Sequence, residues 1–499
     1  MGAPRRALPH SLAQPNLLLA MQFFQMRTAM TIGLRRRTAA AALTLCFAMT
    51  APALADGVTD GNAGREALLA GNTDEAIRLF SRAIAFGGLT AKNQAVTLNL
   101  RGNAYLGRGQ TEVALDDVNE SLRLSETVDA HFTRAKVFIA QYRFDDAVED
   151  LTRAVAMGGE AADVYALRGH AQLYAGRMDD AFKDLDHALK IQPRYAFALR
   201  TRGHAFMNSG QDDKAITDLT MAIAIDPKDS EAYWLRAYAW RYRKKDLPKA
   251  VADYTAALKA DPNDSTNRTS RADVYEELGR YAEASADYDE WIKQNPRGPF
   301  GYWARGRLNM VQGRYPQAAA DLAKAVSLKP ADAYNVLWLH LARARAGTDD
   351  TAELQTNAGR LNRTVWPGPL VDYLTGKADA AAVLAKASAA AGKAKTTQAC
   401  EAQMFLGQDD LAKGRKAQGV ERLQAAARDC DSATSEARLI RADLQRNGAT
   451  APRSSLASAA PPTVMAKPAA LSPAAAKPKP PAQVQAQGGD PLLLRGSLK

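Results

Sequence analysis

The sequence predicts an all-α chain whose body is a solenoid of helical hairpins. Three observations carry this. A small-residue position recurs at a nearly fixed step: Ala114, Ala147, Ala181, Ala215, Ala250, Ala284 and Ala318 stand 33 to 35 residues apart, and Ala76 precedes Ala114 by 38. An opposite-charge pair recurs with it, sixteen residues apart, at Arg101/Asp117, Arg134/Asp150, Arg168/Asp184, Arg202/Asp218, Arg271/Asp287 and Arg305/Asp321; Arg236/Asp253 is stretched to seventeen. Turn residues recur between them, with Gly at 176, 210, 279 and 313 and Pro closing units at 193, 227, 262, 296 and 330. A period near 34 fixes the architecture before any single residue does.

Each part of a unit has its cause. In the first helix a Gly or Ala lies twelve residues before the aligned alanine (Gly102, Ala135, Gly169, Gly203, Ala272, Gly306) and lets two helices approach closely. The glycine after it permits a tight turn. In the second helix the aligned alanine, a large residue four later (Val118, Leu151, Leu185, Leu219, Tyr254, Tyr288, Leu322) and a mostly small one seven later form one apolar face. Proline then stops that helix. One such hairpin cannot bury its face alone; stacked hairpins share a continuous core.

These residues resemble the tetratricopeptide repeat family over about 57 to 330, as eight units. The resemblance implies a right-handed superhelix of antiparallel helix pairs with a concave groove that binds proteins or peptides. It places each Arg at position seven of the first helix and each Asp at position 23, on the second. Both lie about eight residues from the turn, so the pairs are expected to form a structural ladder. The family's inward positions fall on Arg200, His204, Asn208, Trp234, Tyr238, Arg241 and Tyr242, with Trp303 and Arg307 further along; these are the expected protein-binding groove. Aromatics and arginines together suit hot spots. Asn99 and Asn103 are present, but the lysines of the carboxylate clamp of chaperone-binding relatives are not.

The remaining segments read in order. Residues 1–29 carry no assignable feature. From Met30, Arg35–Arg37, a short apolar run and Ala53-Leu54-Ala55 have the form of a secretory signal peptide cut after Ala55. The run is too short to span a bilayer, which needs about 20 residues, and Leu45 before Cys46 spoils a lipoprotein box. Residues 331–448 continue as decaying helical repeats. Within them 399–430 reads as a hairpin turning near Gly414, which brings Cys400 and Cys430 to its open end as a disulfide; two buried thiols are the alternative. WPGP at 366–369 and the aromatic-glycine segments from Tyr373 and Phe405 resemble the C-terminal part of NlpI-like envelope adaptors. Residues 449–499 are an Ala/Pro/Lys-rich tail with too few large apolar residues to fold.

Net charge is +11, yet the two termini hold twelve of the 65 basic residues and one acid, which leaves 53 of each sign in 56–448. A neutral body argues against nucleic acid. No P-loop, HExxH, GxSxG or GxGxxG occurs. Paired acids such as Asp145/Asp146 sit where second helices start and the dipole favours them. His170 and His204 share a position in adjacent units without an evident third ligand. The sequence is therefore expected to be a non-enzymatic exported scaffold without cofactor or metal. Its groove would dock a protein or extended peptide, in cell-envelope assembly or turnover. Association with polysaccharide or peptidoglycan through groove aromatics is the alternative. No transmembrane span is expected after signal removal, and neither partner nor oligomeric state is specified.

Overall fold

The structure is a computed structural model that describes residues 57–431 and 434–452. The 1–29 extension, the signal segment 30–55 with its cut after Ala55, and the tail beyond 452 lie outside the described residues.

Eight helical hairpins follow one another. They are α1 (Gly57–Leu69) with α2 (Thr73–Phe86), α3 (Ala91–Gly107) with α4 (Thr111–Leu124), α5 (Val128–Ala140) with α6 (Phe144–Ala156), and α7 (Ala162–Tyr174) with α8 (Met178–Ile191). Then come α9 (Ala196–Asn208) with α10 (Asp212–Ile225), α11 (Ser230–Tyr238) with α12 (Leu247–Ala260), α13 (Ser265–Glu277) with α14 (Tyr281–Gln294), and α15 (Pro299–Val311) with α16 (Tyr315–Leu328). Among the described residues there is no strand. The aligned alanines from Ala76 to Ala318 are fully buried, as are Val118, Leu151, Leu185, Leu219 and Leu322. Close approach sets the glycines: a Cβ built on Gly169 would meet Leu185 at 2.8 Å, and one on Gly102 would meet Val118 at 2.7 Å.

The Arg–Asp pairs close within each hairpin. Arg101 donates from Nε and Nη2 to the two carboxylate oxygens of Asp117, at 2.7 Å each. The same fork joins Arg134 to Asp150, Arg168 to Asp184, Arg202 to Asp218, Arg236 to Asp253, Arg271 to Asp287 and Arg305 to Asp321, all between 2.6 and 3.0 Å. The third nitrogen, Nη1, does something the spacing did not reveal: it reaches the second helix of the preceding unit. Its acceptors are Ser81, Asn119, Thr152, Asp186, Thr220, Thr255 and Asp289 in turn. Each guanidinium thus ties three helices, which the planar five-donor fork can do and an ammonium cannot. The first unit reverses the pair: Asp60, on its first helix, accepts from Arg82 on its second.

Two irregularities mark the array. The seventeen-residue spacing of Arg236/Asp253 is absorbed inside the helix: Ala239–Lys244 continue α11 as a π-helical turn, ended by Lys245 at φ 56°. At the turn between α5 and α6, Tyr142 holds φ 61°, where Gly109, Gly176, Gly210, Gly279 and Gly313 stand in other units at φ 70–77°.

Beyond the array, α17 (Ala333–Arg345) begins a ninth unit, but its second helix is only α18 (Thr351–Ala358), followed by α19 (Gly368–Leu374) and α20 (Ala380–Ser388). Then α21 (Gly392–Ala412) and α22 (Lys416–Asp429) form a hairpin turning at Gly414, and α23 (Ser435–Arg446) ends the described chain apart from a short coil. Cys400 and Cys430 form a disulfide at its open end, Cα to Cα 5.0 Å. Trp366 Nε1 and Tyr334 Oη both donate to Glu401, at 2.6 and 2.9 Å, which fastens the WPGP turn to α17 and α21.

Removing one fork should cost the array locally. Arg202→Ala is expected to lower unfolding free energy by about 3 kcal/mol, since it strands the buried Asp218, and Arg202→Lys should recover less than half of it; chemical denaturation measures both. Tyr142→Gly is expected to raise stability by about 0.5–1 kcal/mol, because the left-handed backbone disfavours a side chain; a lowered midpoint would refute the strain.

Candidate functional site

The array has an inner and an outer layer. Successive first helices approach one another at α1/α3, α3/α5, α7/α9 and α15/α17, whereas second helices do so less among the described residues. First helices therefore line the inside of the curve. Their inward positions hold a mixed polar and aromatic surface in two parts.

The first part runs from α3 to the start of α11; Asp129 there is exposed, Asn99, Lys136, Asp163, Arg200 and Asn208 are half-buried, and His170 and His204 are buried. Lys136 on α5 donates to Asn103 of α3 at 2.7 Å. Burial pulls its pKa down to about 8, with Asp163 of α7 acting the other way. Asp163 forms no ion pair among the described residues; burial, then repulsion from Asp129, raises its pKa. On α9, Arg200 reaches Asp229 at 2.9 Å and Glu231 at 3.0 Å. Asp229 also caps α11 by accepting from the Ala232 N–H, so one carboxylate starts the helix and holds the arginine. His170 lies between Tyr174 and Phe197, ring centroids 4.8 and 5.4 Å away. Burial, then the charge of Arg200, brings its pKa down to about 3. Tyr174 in turn meets the edge of His204. Asn99 Oδ1, Tyr174 Oη, Asn208 Oδ1 and Trp234 Nε1 are shielded from solvent and lack a hydrogen-bond partner among the described residues.

The second part, from the end of α11 to α17, is covered by the chain itself. Helix α23 lies against α15. Arg438 of α23 donates to Glu276 of α13 at 2.9 Å, with both side chains buried, and Tyr288 donates to the other oxygen of Glu276 at 2.8 Å. Arg446 caps the end of α15 by donating to the Val311 carbonyl at 2.7 Å. Asp443, fully buried, receives Arg345 and Gln408. Ala437, Leu439, Ile440 and Leu444 are at most 5 % exposed, so α23 is held by its apolar face as well as by its charges.

This corrects part of the expected groove. His204, Tyr238, Arg241 and Arg307 are buried, at 3, 7, 6 and 8 % exposure, and cannot be open contact residues. The causes differ. His204 packs within the inner-layer core against Tyr174. Tyr238 is sandwiched by Trp234 and Tyr242 of its own helix, centroids 5.9 and 4.5 Å away. The π-helical turn draws Arg241 onto Glu277, at 2.5 to 3.0 Å. Arg307 stacks on Trp303, 4.1 Å from the ring centre, where α15 meets α23. Arg200, Asn208, Trp234, Tyr242 and Trp303 remain half-buried. Among the described residues no three His, Cys, Asp or Glu side chains converge as a metal site, and no helix is long and apolar enough to cross a membrane. Sequence reasoning missed Lys136, Asp163, Tyr174 and Glu231, each at an inward position of its unit, and it missed the groove-filling role of α23, whose sequence lies outside the repeat.

A helical solenoid with a partly open, polar inner face defines the class of repeat scaffolds. A model of the ETO1 C-terminal domain matches residues 74–277, and a tetratricopeptide repeat model matches residues 269–333. With its hairpins and period, the chain is a tetratricopeptide repeat protein. Among solved structures it is similar to a tetratricopeptide repeat protein from Parabacteroides merdae, at 18 % identity over 50 % of this chain and 98 % of that one, with a TM-score of 0.36. It is similar to YrrB, described as a TPR protein with an unusual peptide-binding site, at 20 % identity over 38 % and 95 %, with a TM-score of 0.29. It is also similar to PilF of Pseudomonas aeruginosa, at 19 % identity over 51 % and 97 %, with a TM-score of 0.32. No curated protein matches the sequence.

The buried His170 makes a pH prediction. Its folded pKa of about 3 lies below the ordinary 6.5, so the unfolded chain binds the extra proton between those values. Stability should therefore fall as pH drops from 6.5 towards 3. Compared with its own value at pH 7, the parent should lose about 2 kcal/mol more by pH 4.5 than a His170→Phe variant does. Equal acid limbs in the two proteins would refute it.

Proposed function

We propose that this protein is a non-enzymatic scaffold whose open inner face, from α3 to the start of α11, docks an extended peptide segment of a protein partner. One observation carries the reading. Along the stretch that α23 leaves uncovered, Asn99, Tyr174, Asn208 and Trp234 keep shielded polar atoms without a hydrogen-bond partner among the described residues, as Asn267, Arg268, Trp303 and Arg307 do at the covered end. Shielded donors and acceptors are costly until something satisfies them, and an extended backbone offers both kinds. Protein and peptide docking is what tetratricopeptide repeats do. The glycan alternative is the weaker one: Tyr238 is buried, with both neighbouring rings tilted against it, so no clear row of ring faces is left for sugars.

The protein acts outside the cytoplasm, in cell-envelope assembly or turnover. The signal-like 30–55 segment supports this, as does the Cys400–Cys430 bond, which suits an oxidising compartment.

A capture experiment tests the docking. Trp234→Ala combined with Asn208→Ala should weaken retention of one envelope polypeptide by at least about tenfold, the loss expected of one hot spot of about 1.4 kcal/mol or more, in a variant that keeps the parent's helical circular dichroism at the assay temperature. Unchanged polypeptide capture with lost glycan retention would favour the alternative. Unreduced mass spectrometry of the exported chain should show a start at Asp56 and no free thiol; a retained 30–55 segment overturns the export reading.

A further inference from the structure

The inner face is already read once by the chain's own C-terminal segment, and the reading is electrostatic as well as apolar. Arg438 of α23 buries its charge on Glu276, and Arg441, one turn further, lies in the field of Glu277. The chain then continues for 47 residues, 453–499, which carry Arg453, Lys467, Lys477, Lys479, Arg495 and Lys499 against the single acid Asp490. The uncovered part of the face has the opposite sign. From α5 to α11 it holds the carboxylates Asp129, Asp163, Asp229 and Glu231 against two cations, Lys136 and Arg200. Arg200 is occupied by Asp229 and Glu231, while Asp129 and Asp163 form no ion pair among the described residues; they repel each other, and Lys136 attracts Asp163. At the hairpin turns Arg108, Arg143 and Arg177 are already paired with Asp74, Asp146 and Asp145, and Arg194, at the turn into α9, is an exposed cation beside the face.

We propose that the basic tail 453–499 is an intramolecular ligand of the open inner face between α5 and α11, and extends the contact that α23 begins. Three things on the molecule support the assignment: opposite charge, continuity with the seated α23, and reach. Adjacent units stand about 10 Å apart, so the path from α15 back to α5 is roughly 50 Å, and 47 extended residues span more than about 100 Å. The prolines at 461, 462, 468, 473, 478, 480 and 481 suit an extended ligand, because a chain already held in polyproline form loses little entropy on docking. The inference rests on the inner face being a docking surface. It adds that a partner peptide must displace the tail, so tail and partner compete.

Zero-length carbodiimide cross-linking of the full chain, mixed with an isotopically heavy copy and read by mass spectrometry, tests it. Lys467, Lys477 and Lys479 should couple to Asp129, Asp163 or Glu231 within one copy. The yield should fall by about tenfold on raising ionic strength from about 0.05 to 0.5 M, and equally in an Asp129→Asn, Asp163→Asn variant that melts like the parent. Coupling spread evenly over outer carboxylates such as Asp116, Glu149 and Asp213, coupling between light and heavy copies only, or no coupling of the tail lysines overturns the proposal. If a partner polypeptide is still captured in any of those cases, the tail inference falls alone and the docking reading stands. If tail coupling is found but no partner is captured, the reverse holds.

Discussion

The array depends on one interaction, a guanidinium that must serve three helices at once. Each hairpin of this chain is too small to hold its own shape, and apolar stacking by itself would let a hairpin slide or rotate against the next. The forked contact to its own aspartate fixes how the two helices of a unit are paired. The third nitrogen, on the second helix of the unit before, fixes how far that unit is from its neighbour. Dispersion and hydrophobic burial supply the bulk of the stability, but they carry little direction. The arginines give the stack its pitch, and the pitch gives the inner face its curvature.

The curved face is used twice, by the chain on itself and by whatever it receives. Helix α23 closes the α13–α17 end with an apolar stripe and a fully buried arginine–glutamate contact. The remaining surface is therefore bounded at one end. It is polar, and like the covered end it holds shielded atoms that lack a hydrogen-bond partner among the described residues. A scaffold that fills half its own trough restricts both the length and the placement of a visitor.

Much of this was legible in the residues, and the reasons follow from periodicity. A feature that recurs at the repeat step states its own place, so the hairpins, the glycines under Leu185 and Val118 and the arginine–aspartate partners could be read directly. The disulfide followed from hairpin geometry and an even cysteine pair. What could not be read lay off the period. Helix α23 has no counterpart in the repeat, so nothing in its sequence marked it as an occupant of the inner face. The stretched Arg236/Asp253 spacing showed an extra residue but not its place, which is a π-helical turn that pulls Arg241 out of reach. Inward position was a sound guide to which residues share a surface. It was a poor guide to which of them stay open, because rings four residues apart on one helix cover each other, as Trp234, Tyr238 and Tyr242 do.

The two ends of the stack are unequal, and that inequality gives the molecule a direction. At its far end the last repeats are clamped by α21–α23, whose own hairpin is closed by Cys400–Cys430. At its near end the opening unit has the transposed Asp60–Arg82 contact and is held by the next unit through Arg101 to Ser81 and Arg108 to Asp74, but it has no earlier neighbour among the described residues to grip. In a quasi-one-dimensional assembly, loss of order travels from the weaker terminus inward. The leading hairpins will thus peel first and re-zip last, while the clamped end acts as the template on which they rebuild.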